Sequence, residues 1–420
     1  QHLPRGAPEL ARTLRAARRE AMLFGAVLVV RNLDALAGDE ARGVADLTPH
    51  AADVLAGHGG PVVATATRNV WPASQWRPAV VVELGVPSET DRIELWTRQL
   101  GGRDLAVEAA GRYRITGGTI ERAAAAAREL AATRGGSVEL ADLRAGVRDQ
   151  LDAELATLGR RVSWRQQWAD LVVPDDVREE LDELVSRVRH RRRVLDEWGF
   201  SRKVAKGVGV SALFAGPPGT GKTMVAGLIA MELGLDLYQI DVSRMVSKWI
   251  GETEKNLGRL FDAAAAGHVV LLFDEADSLF AKRTEVRSSN DRYANLEVNY
   301  LLQRMEEFEG ITILTTNLEA TVDEAFKRRL AFRIKFPVPE VDERMQLWRA
   351  MLPAEAAVAF DIDFRALAER FEMTGGYIRN AVLRAAYLAA GEGVSIRMHH
   401  LARAAAQEYQ AMGKIIHHAI

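Results

Sequence analysis

A glycine-rich loop constrains the fold of this chain more than any other feature. Residues 216–223 read Gly-Pro-Pro-Gly-Thr-Gly-Lys-Thr and follow the apolar segment Ser211–Ala215. Such a loop, between a strand and a helix, turns backbone N–H groups toward a bound phosphate, and the helix N-terminus adds positive potential. Its lysine reaches the β- and γ-phosphates, and the hydroxyl that follows ligates Mg²⁺. The residues predicted to bind the nucleotide are Gly216, Pro217, Pro218, Gly219, Thr220, Gly221, Lys222, Thr223 and Met224.

A second apolar segment ends in two carboxylates. His268–Phe273 is followed directly by Asp274 and Glu275. A buried strand would deliver Asp274 to the edge of the sheet beside the phosphate loop, where it completes a Mg²⁺ site with Thr223. Glu275 is then placed to orient and deprotonate an attacking water molecule.

The remaining pattern predicts an α/β fold. Short apolar segments alternate with longer helical ones over residues 165–340, which is typical of a parallel sheet with helices on both faces. One predicted strand ends at Asn317, which we expect beside the γ-phosphate, where it helps to position water. After Val341 the sequence becomes helical and rich in alanine, so a helical lid is predicted over residues 341–420. The predicted strands are Ser211–Ala215, Leu235–Ile240, His268–Phe273, Ile311–Thr316 and Arg333–Phe336.

Composition narrows the possible functions. The 420 residues carry 55 basic and 57 acidic side chains, so no strong net charge favours nucleic acid or an anionic membrane. There is no cysteine, which excludes disulfides and thiol chemistry and leads us to expect a cytoplasmic protein. The apolar run Ala21–Val30 is far shorter than the ~20 residues of a spanning helix, and no secretion signal is predicted. The arginine-rich residues 187–193 hold no stacking aromatic side chain, so we expect a solvated helix face.

The sequence contains an internal repeat. Residues 86–96 match residues 338–348 at Val, Pro, Arg, Leu and Trp, each residue lying 252 positions before its counterpart. Residues 116–120 match residues 374–378, and short blocks of residues 27–36 match residues 270–279. Because the three blocks keep their order, a duplication with shorter loops in the first copy is favoured over chance similarity.

The repeat predicts the domain organisation. Residues 1–157 form a degenerate copy, with a partial large subdomain over 1–98 and a helical lid over 99–157, and Leu151–Arg161 is predicted to be a linker. Residues 165–340 form the active large subdomain and residues 341–420 its lid. Arg31 and Asn32 stand where the second copy has its Asp-Glu pair, so the first copy is predicted to be incomplete and inactive.

The order of these motifs resembles an AAA ATPase of the protein-remodelling branch over residues 165–420. The resemblance implies ATP and Mg²⁺ as cofactors and assembly into a ring, commonly a homohexamer. It implies that Arg328 and Arg329 reach the ATP site of the neighbouring subunit, a contact worth roughly 10³–10⁵ in rate. It also implies that Val173 lies against adenine and that Gly375 and Gly376 bring a lid helix close to the nucleotide. The alternatives are a solvated basic turn for the arginines and a plain helix start for the glycines.

The segment Lys248, Trp249 and Ile250, followed by glycine, is similar to the aromatic pore loop of katanin, spastin and related ring ATPases. A ring of tryptophans can hold polypeptide side chains non-specifically, because an indole buries a large area against any partner. A lone tryptophan ordinarily belongs to a core, and only the surrounding match favours the pore. Residues 282–295 are predicted to form a second pore loop.

Residues 291–306 with residues 326–330 resemble more narrowly the bacterial AAA ATPases encoded with phage-tail-like contractile injection systems. The leading hypothesis is therefore an ATP-driven enzyme that remodels or translocates polypeptides. No membrane partner is expected. The narrower resemblance adds a contractile injection particle, during its assembly or disassembly, to the expected clients. Two other functions stay open, a nucleic-acid motor or clamp loader and a nucleotide-switched assembly scaffold.

Overall fold

The computed structural model describes residues 3–4, 6–38, 45–66, 80–156, 159–203, 209–240, 252–277, 300–318, 322 and 324–414. The chain divides into two compact units, Gln1–Leu84 and Gly85–Ile420. The finer division proposed from the repeat stays a prediction.

The first unit is a small α/β fold. Helices α1 (Ala7–Leu23) and α2 (Thr48–Ala56) pack beside strands β1 (Leu28–Val30) and β2 (Val62–Ala64), which are parallel. Its core consists of aliphatic side chains, among them Leu10, Leu14, Leu33, Leu36 and Leu55.

The second unit begins with four helices around their own core. They are α3 (Glu89–Leu100), α4 (Arg103–Arg112), α5 (Gly117–Arg134) and α6 (Leu140–Leu155). Trp96 of α3 is fully buried in the same cluster as Ile120 and Leu143. The boundary predicted between residues 98 and 99 therefore falls inside a helix that packs with the three helices after it.

The chain ends in four helices of the same kind, α11 (Val341–Ala350), α12 (Phe364–Arg370), α13 (Gly375–Glu392) and α14 (Met398–Ala411). Arg92 and Arg344 are both buried and make equivalent contacts. Each donates from its guanidinium to the carbonyl of the proline five residues earlier and to an alanine carbonyl in the next helix. Both α5 and α13 have 18 residues, follow a threonine and end at a left-handed glycine. These parallels support the proposed duplication.

The linker predicted over Leu151–Arg161 is wrong. Its first five residues complete α6, and Gly159–Val162 forms strand β3, which pairs antiparallel with β5 (Leu237–Ile240). The polar sequence of this stretch concealed a strand because β3 is at the edge of the sheet, where only one side needs a partner.

The main sheet of the described residues has the order β3-β5-β6-β7-β4-β8 and is parallel except for β3. The other strands are β4 (Val210–Ala215), β6 (Val270–Phe273), β7 (Ile311–Thr316) and β8 (Phe332–Lys335). Every residue of β6 and β7 is buried, as expected for central parallel strands covered on both faces. The predicted α/β fold class with a parallel P-loop sheet is confirmed.

Helices cover both faces of this sheet. They include α7 (Asp175–Arg189), α8 (Lys222–Glu232), α9 (Glu252–Gly267) and the short α10 (Glu324–Lys327), and residues 300–307 are also helical. The predicted strand starting at His268 begins two residues later, because His268 adopts a left-handed conformation with φ of 49°. Among the helices of the described residues, none is long and apolar enough to cross a bilayer.

Candidate active site

The phosphate loop runs from the end of β4 to the first turn of α8. Gly219 and Gly221 have φ of 78° and 97°, in the left-handed region that glycine adopts without strain. A Cβ on Gly219 would also lie 2.7 Å from Thr374 Oγ1. Both positions therefore need glycine for the loop to keep this shape.

Lys222 begins α8 and is 7% exposed. Its ammonium donates to the carbonyl oxygens of Gly216 and Pro217, at 2.6 and 2.8 Å, and to Asn317 Oδ1 at 2.9 Å. Burial lowers the pKa of Lys222, and nearby Asp274 opposes that shift. The amine is thus held inside the loop by neutral oxygens, which an anionic phosphate could replace favourably.

Asp274 follows β6 and accepts hydrogen bonds from three side chains. Thr315 Oγ1 donates at 2.6 Å and Thr223 Oγ1 at 3.1 Å to its Oδ1, and Gln239 Nε2 donates at 2.8 Å to its Oδ2. A hydroxyl beside a fixed carboxylate is a hard oxygen donor set of the kind that Mg²⁺ prefers, so these residues fit the ion.

Glu275 is next in the chain and has φ of 52°, rare for a residue other than glycine. Its N–H donates to Thr315 Oγ1 at 2.9 Å, which fixes this backbone to β7. The carboxylate lines the same cavity as Lys222. Unusual backbone held by its surroundings is common at functional sites.

The backbone at Asn317, just after β7, is anchored to Asp277. Its N–H donates to Asp277 Oδ1 at 3.1 Å, and Thr316 donates its hydroxyl to the same oxygen. With its backbone fixed, Asn317 presents its side-chain oxygen to Lys222.

A cavity of about 510 Å³ connects these residues. Its lining includes the apolar side chains of Trp164, Leu171, Val172, Val173 and Met224 and the polar groups of the loop, Asp274, Glu275 and Asn317. The ring of Trp164 lies against Gly227 of α8 so closely that a Cβ there would overlap it. Apolar side chains that line the same cavity as a phosphate loop give it the composition expected of a site for a nucleotide base.

The lid closes this cavity through its third helix. Gly376 N–H donates to the Gly219 carbonyl at 2.9 Å, and Thr374 Oγ1 donates to the Pro218 carbonyl at 3.0 Å. A Cβ on Gly376 would lie 3.0 Å from Gly219 Cα. Gly375 and Gly376 therefore bring the lid into direct contact with the phosphate loop.

Arg328 and Arg329 are exposed and do not line this cavity. Arg329 Nε lies 3.0 Å from Glu306 Oε1 in an ion pair at the surface. Within this one chain the structure thus brings together all the predicted loop, carboxylate and lid residues, but not these two arginines. The predicted pore residues Lys248, Trp249 and Ile250, and residues 282–295, lie outside the described residues.

Sequence reasoning missed three residues of the site. Gln239 and Thr315 hold Asp274, and a glutamine inside an otherwise apolar strand was a signal that could have found the first. Trp164 carried no signal, because its place depends on packing against a distant helix. Arg379 of α13 is exposed, as is usual for an arginine on a helix surface, and it also lines the cavity.

Comparison with known proteins agrees with this geometry. Residues 212–338 match the family model of the ATPase family associated with various cellular activities, AAA. The chain is 34% identical to katanin p60 ATPase-containing subunit A1 of Strongylocentrotus purpuratus over 242 residues, 53% of this chain and 44% of that protein. It is 34% identical to fidgetin-like protein 1 of Drosophila melanogaster over 171 residues, 39% of this chain and 32% of that protein.

A third protein is also similar to this chain. Cell division protein C of Sulfolobus acidocaldarius is 33% identical over 187 residues, 42% of this chain and 48% of that protein. The matched regions span less than half the length of each relative. The chain thus carries an AAA-family ATPase domain, homologous to those of katanin, fidgetin-like protein and cell division protein C.

Proposed function

We propose that this chain is a ring-forming ATPase that uses ATP hydrolysis to remodel, unfold or translocate polypeptides through a central pore. The observation that carries the ATPase part is the convergence of Lys222, Asn317, Asp274 and Glu275 on one cavity. The ring and the polypeptide substrate are argued from the two arginines and from the pore-loop sequence.

The site residues divide the chemistry of hydrolysis among them. Lys222 exchanges its neutral carbonyl partners for the β- and γ-phosphates. Thr223 and Asp274 would hold Mg²⁺, which would supply charge neutralisation on the phosphate oxygens. Glu275 takes a proton from the attacking water, and Asn317 orients that water.

The exposed arginines support catalysis between subunits. In-line transfer of a phosphoryl group gains from a cation at the transferred phosphate, and neither Arg328 nor Arg329 reaches the cavity of its own subunit. A neighbouring copy that docks this surface against the cavity supplies the missing charge. This argument favours a ring, and a homohexamer is the proposed form.

The polypeptide substrate is proposed from Lys248, Trp249 and Ile250, which follow β5 in the chain. Nucleotide-driven movement of these loops would pull an extended chain through the ring. A role in assembling or disassembling a contractile injection particle rests on the resemblance of residues 291–306 alone and stays a prediction.

A nucleic-acid motor is the second candidate function. The arginine-rich residues 187–193, at and just after the end of α7, do not favour it. Arg189 pairs with Glu232 at 2.9 Å, Arg191 with Glu309 at 3.4 Å, and Arg192 with Glu89 at 3.6 Å. Arginines with carboxylate partners are less available to phosphates.

The experiment that tests this function compares the ATPase rate of the wild type and Trp249→Ala with an unfolded protein or DNA added. We expect the unfolded protein to stimulate the wild type and not the variant. Stimulation by DNA alone would favour the nucleic-acid motor, and stimulation by neither would favour the nucleotide-switched scaffold.

A further inference from the structure

A glutamine interrupts the buried strand β5. Gln239 is partly buried, whereas the other three residues of the strand are buried. Its Nε2 donates to Asp274 Oδ2 at 2.8 Å, and its Oε1 accepts from Arg160 Nη2 at 3.0 Å. Arg160 faces Gln239 directly across the antiparallel pair β3–β5. The amide thus bridges an edge-strand arginine and the carboxylate assigned to Mg²⁺.

Arg160 decides which way this amide faces. A guanidinium has only donors, so it must meet the oxygen of the glutamine. The NH₂ group is thereby turned toward Asp274, which as a carboxylate can only accept. Without the arginine the amide could rotate by half a turn and set its oxygen against the Asp274 oxygens. Arg160 and Gln239 together thus provide an N–H donor of fixed orientation to one oxygen of the Asp274 carboxylate.

This donor complements the two threonines. Thr315 and Thr223 donate to Oδ1 at 2.6 and 3.1 Å, and Thr223 lies 3.4 Å from Oδ2. Among the described residues, Gln239 therefore donates the shorter of the hydrogen bonds to Asp274 Oδ2. Groups that hold a metal-binding side chain from behind typically change metal affinity 10- to 100-fold when removed.

We propose that Gln239 is a positioning residue for the Mg²⁺-binding carboxylate of Asp274 and that Arg160 of strand β3 sets its orientation. The proposal rests on the proposed function in taking Asp274 as the metal ligand. It assigns a role to β3, the stretch between the two copies that the sequence presents as a linker.

The test measures binding of Mn²⁺, used in place of Mg²⁺, to the complex of the protein with ADP by electron paramagnetic resonance. We expect Gln239→Met, which keeps the length of the side chain, to weaken Mn²⁺ binding about 10-fold or more. Arg160→Met should weaken it about threefold or more, short of the full loss, since the amide is still present but free to turn. Adding Arg160→Met to Gln239→Met should cause no further loss, because the arginine acts through the amide.

The neighbouring arginine provides a matched control. Arg161 points to the opposite face of β3 and lies 3.9 Å from Asp236, so Arg161→Met should leave Mn²⁺ binding unchanged. Binding of ADP in EDTA confirms that each variant is folded at the site. Arg160 is exposed, so its variant keeps the test usable if Gln239→Met does not fold.

Mn²⁺ affinity within twofold of wild type in Gln239→Met would overturn the proposal, as would equal losses in Arg160→Met and Arg161→Met. Neither readout needs hydrolysis. A wild type that binds Mn²⁺ with ADP but does not hydrolyse ATP would instead contradict the proposed function and leave the positioning role standing.

Discussion

Lys222 Nζ lies 2.9 Å from Asn317 Oδ1, although the two residues are 95 positions apart in the chain. The contact exists because β4 and β7 are adjacent parallel strands, paired from Val210 with Ile311 to Ala215 with Thr316. Residues that follow such strands meet at one edge of the sheet. The residue proposed to bind phosphate and the residue proposed to position water are therefore linked by a single hydrogen bond.

We expect Lys222→Met to separate nucleotide binding from folding. Burial lowers the pKa of Lys222 and penalises its charge without a phosphate, whereas the three hydrogen bonds that its ammonium donates oppose this penalty, so Tm in the absence of nucleotide should change little. ATP affinity should drop about 10- to 150-fold, the range for a charged hydrogen bond of about 1.5–3 kcal/mol. Thermal unfolding with and without ATP measures both effects. A variant that ATP stabilises as strongly as the wild type would refute the role of the amine.

Mixed rings test whether Arg329 acts across subunits. Glu275→Gln should bind ATP without hydrolysing it, and Arg329→Ala should lose a factor of about 10³ or more in rate. A mixture should regain activity, because some interfaces combine an intact Glu275 with an intact Arg329 from the neighbour.

The exposed Arg333 of β8 provides the control for this mixing experiment. Arg333→Ala should keep the wild-type rate, and adding Glu275→Gln to it should only dilute activity. If the Arg329→Ala mixture gains nothing over its components, catalysis between subunits is contradicted.

The residues of the site that could be predicted from the sequence are those that come directly after an apolar strand. The phosphate loop, Asp274 and Asn317 each follow an apolar strand, and a parallel sheet necessarily brings those ends to one edge. The contacts between Arg160 and Gln239 could not be predicted, because they depend on the register of an antiparallel strand whose sequence is polar.

The sequence reveals the internal repeat, but it does not explain why an arginine is repeated at residues 92 and 344. Arg92 and Arg344 coincide in sequence, but an arginine on an amphipathic helix is ordinarily exposed. The structure shows that each is buried to satisfy carbonyl oxygens at a helix–helix junction. Burying a guanidinium requires such partners, which only tertiary structure supplies.

The lid contact predicts a difference between two equivalent glycines. Gly376 is the second residue of α13, and Gly118 is the second residue of α5. Gly376→Val would push the lid away from Gly219, so kcat/KM for ATP should fall about 10- to 100-fold. Gly118→Val carries the same change of helix propensity, and a Cβ there meets only Arg122, at 3.6 Å. Its kinetics should match the wild type, and equal losses in both variants would exclude a specific lid contact.

Gly227 should tolerate a methyl group only when Trp164 is absent. In the wild type, Gly227→Ala forces the indole off α8 and should lower the free energy of unfolding by about 1–3 kcal/mol. In Trp164→Ala the same change should be neutral, or stabilise by up to about 1 kcal/mol, since alanine favours helix. Denaturant unfolding of the four proteins measures the coupling, and equal costs in both backgrounds would contradict the close packing.

His268 should make stability depend on pH. Burial, with Arg191 and Arg112 nearby, lowers its pKa from 6.5 to about 4. Between these values the unfolded chain binds a proton that the folded protein does not, so the free energy of unfolding decreases as the pH falls from 7 to 4. The loss should reach about 3 kcal/mol, at 1.36 kcal/mol for each pKa unit.

His268→Asn keeps a residue that tolerates the left-handed backbone but does not titrate. The difference in unfolding free energy between wild type and variant, measured by urea denaturation at each pH, should shrink or reverse by that amount, whereas a constant difference would show that His268 titrates normally.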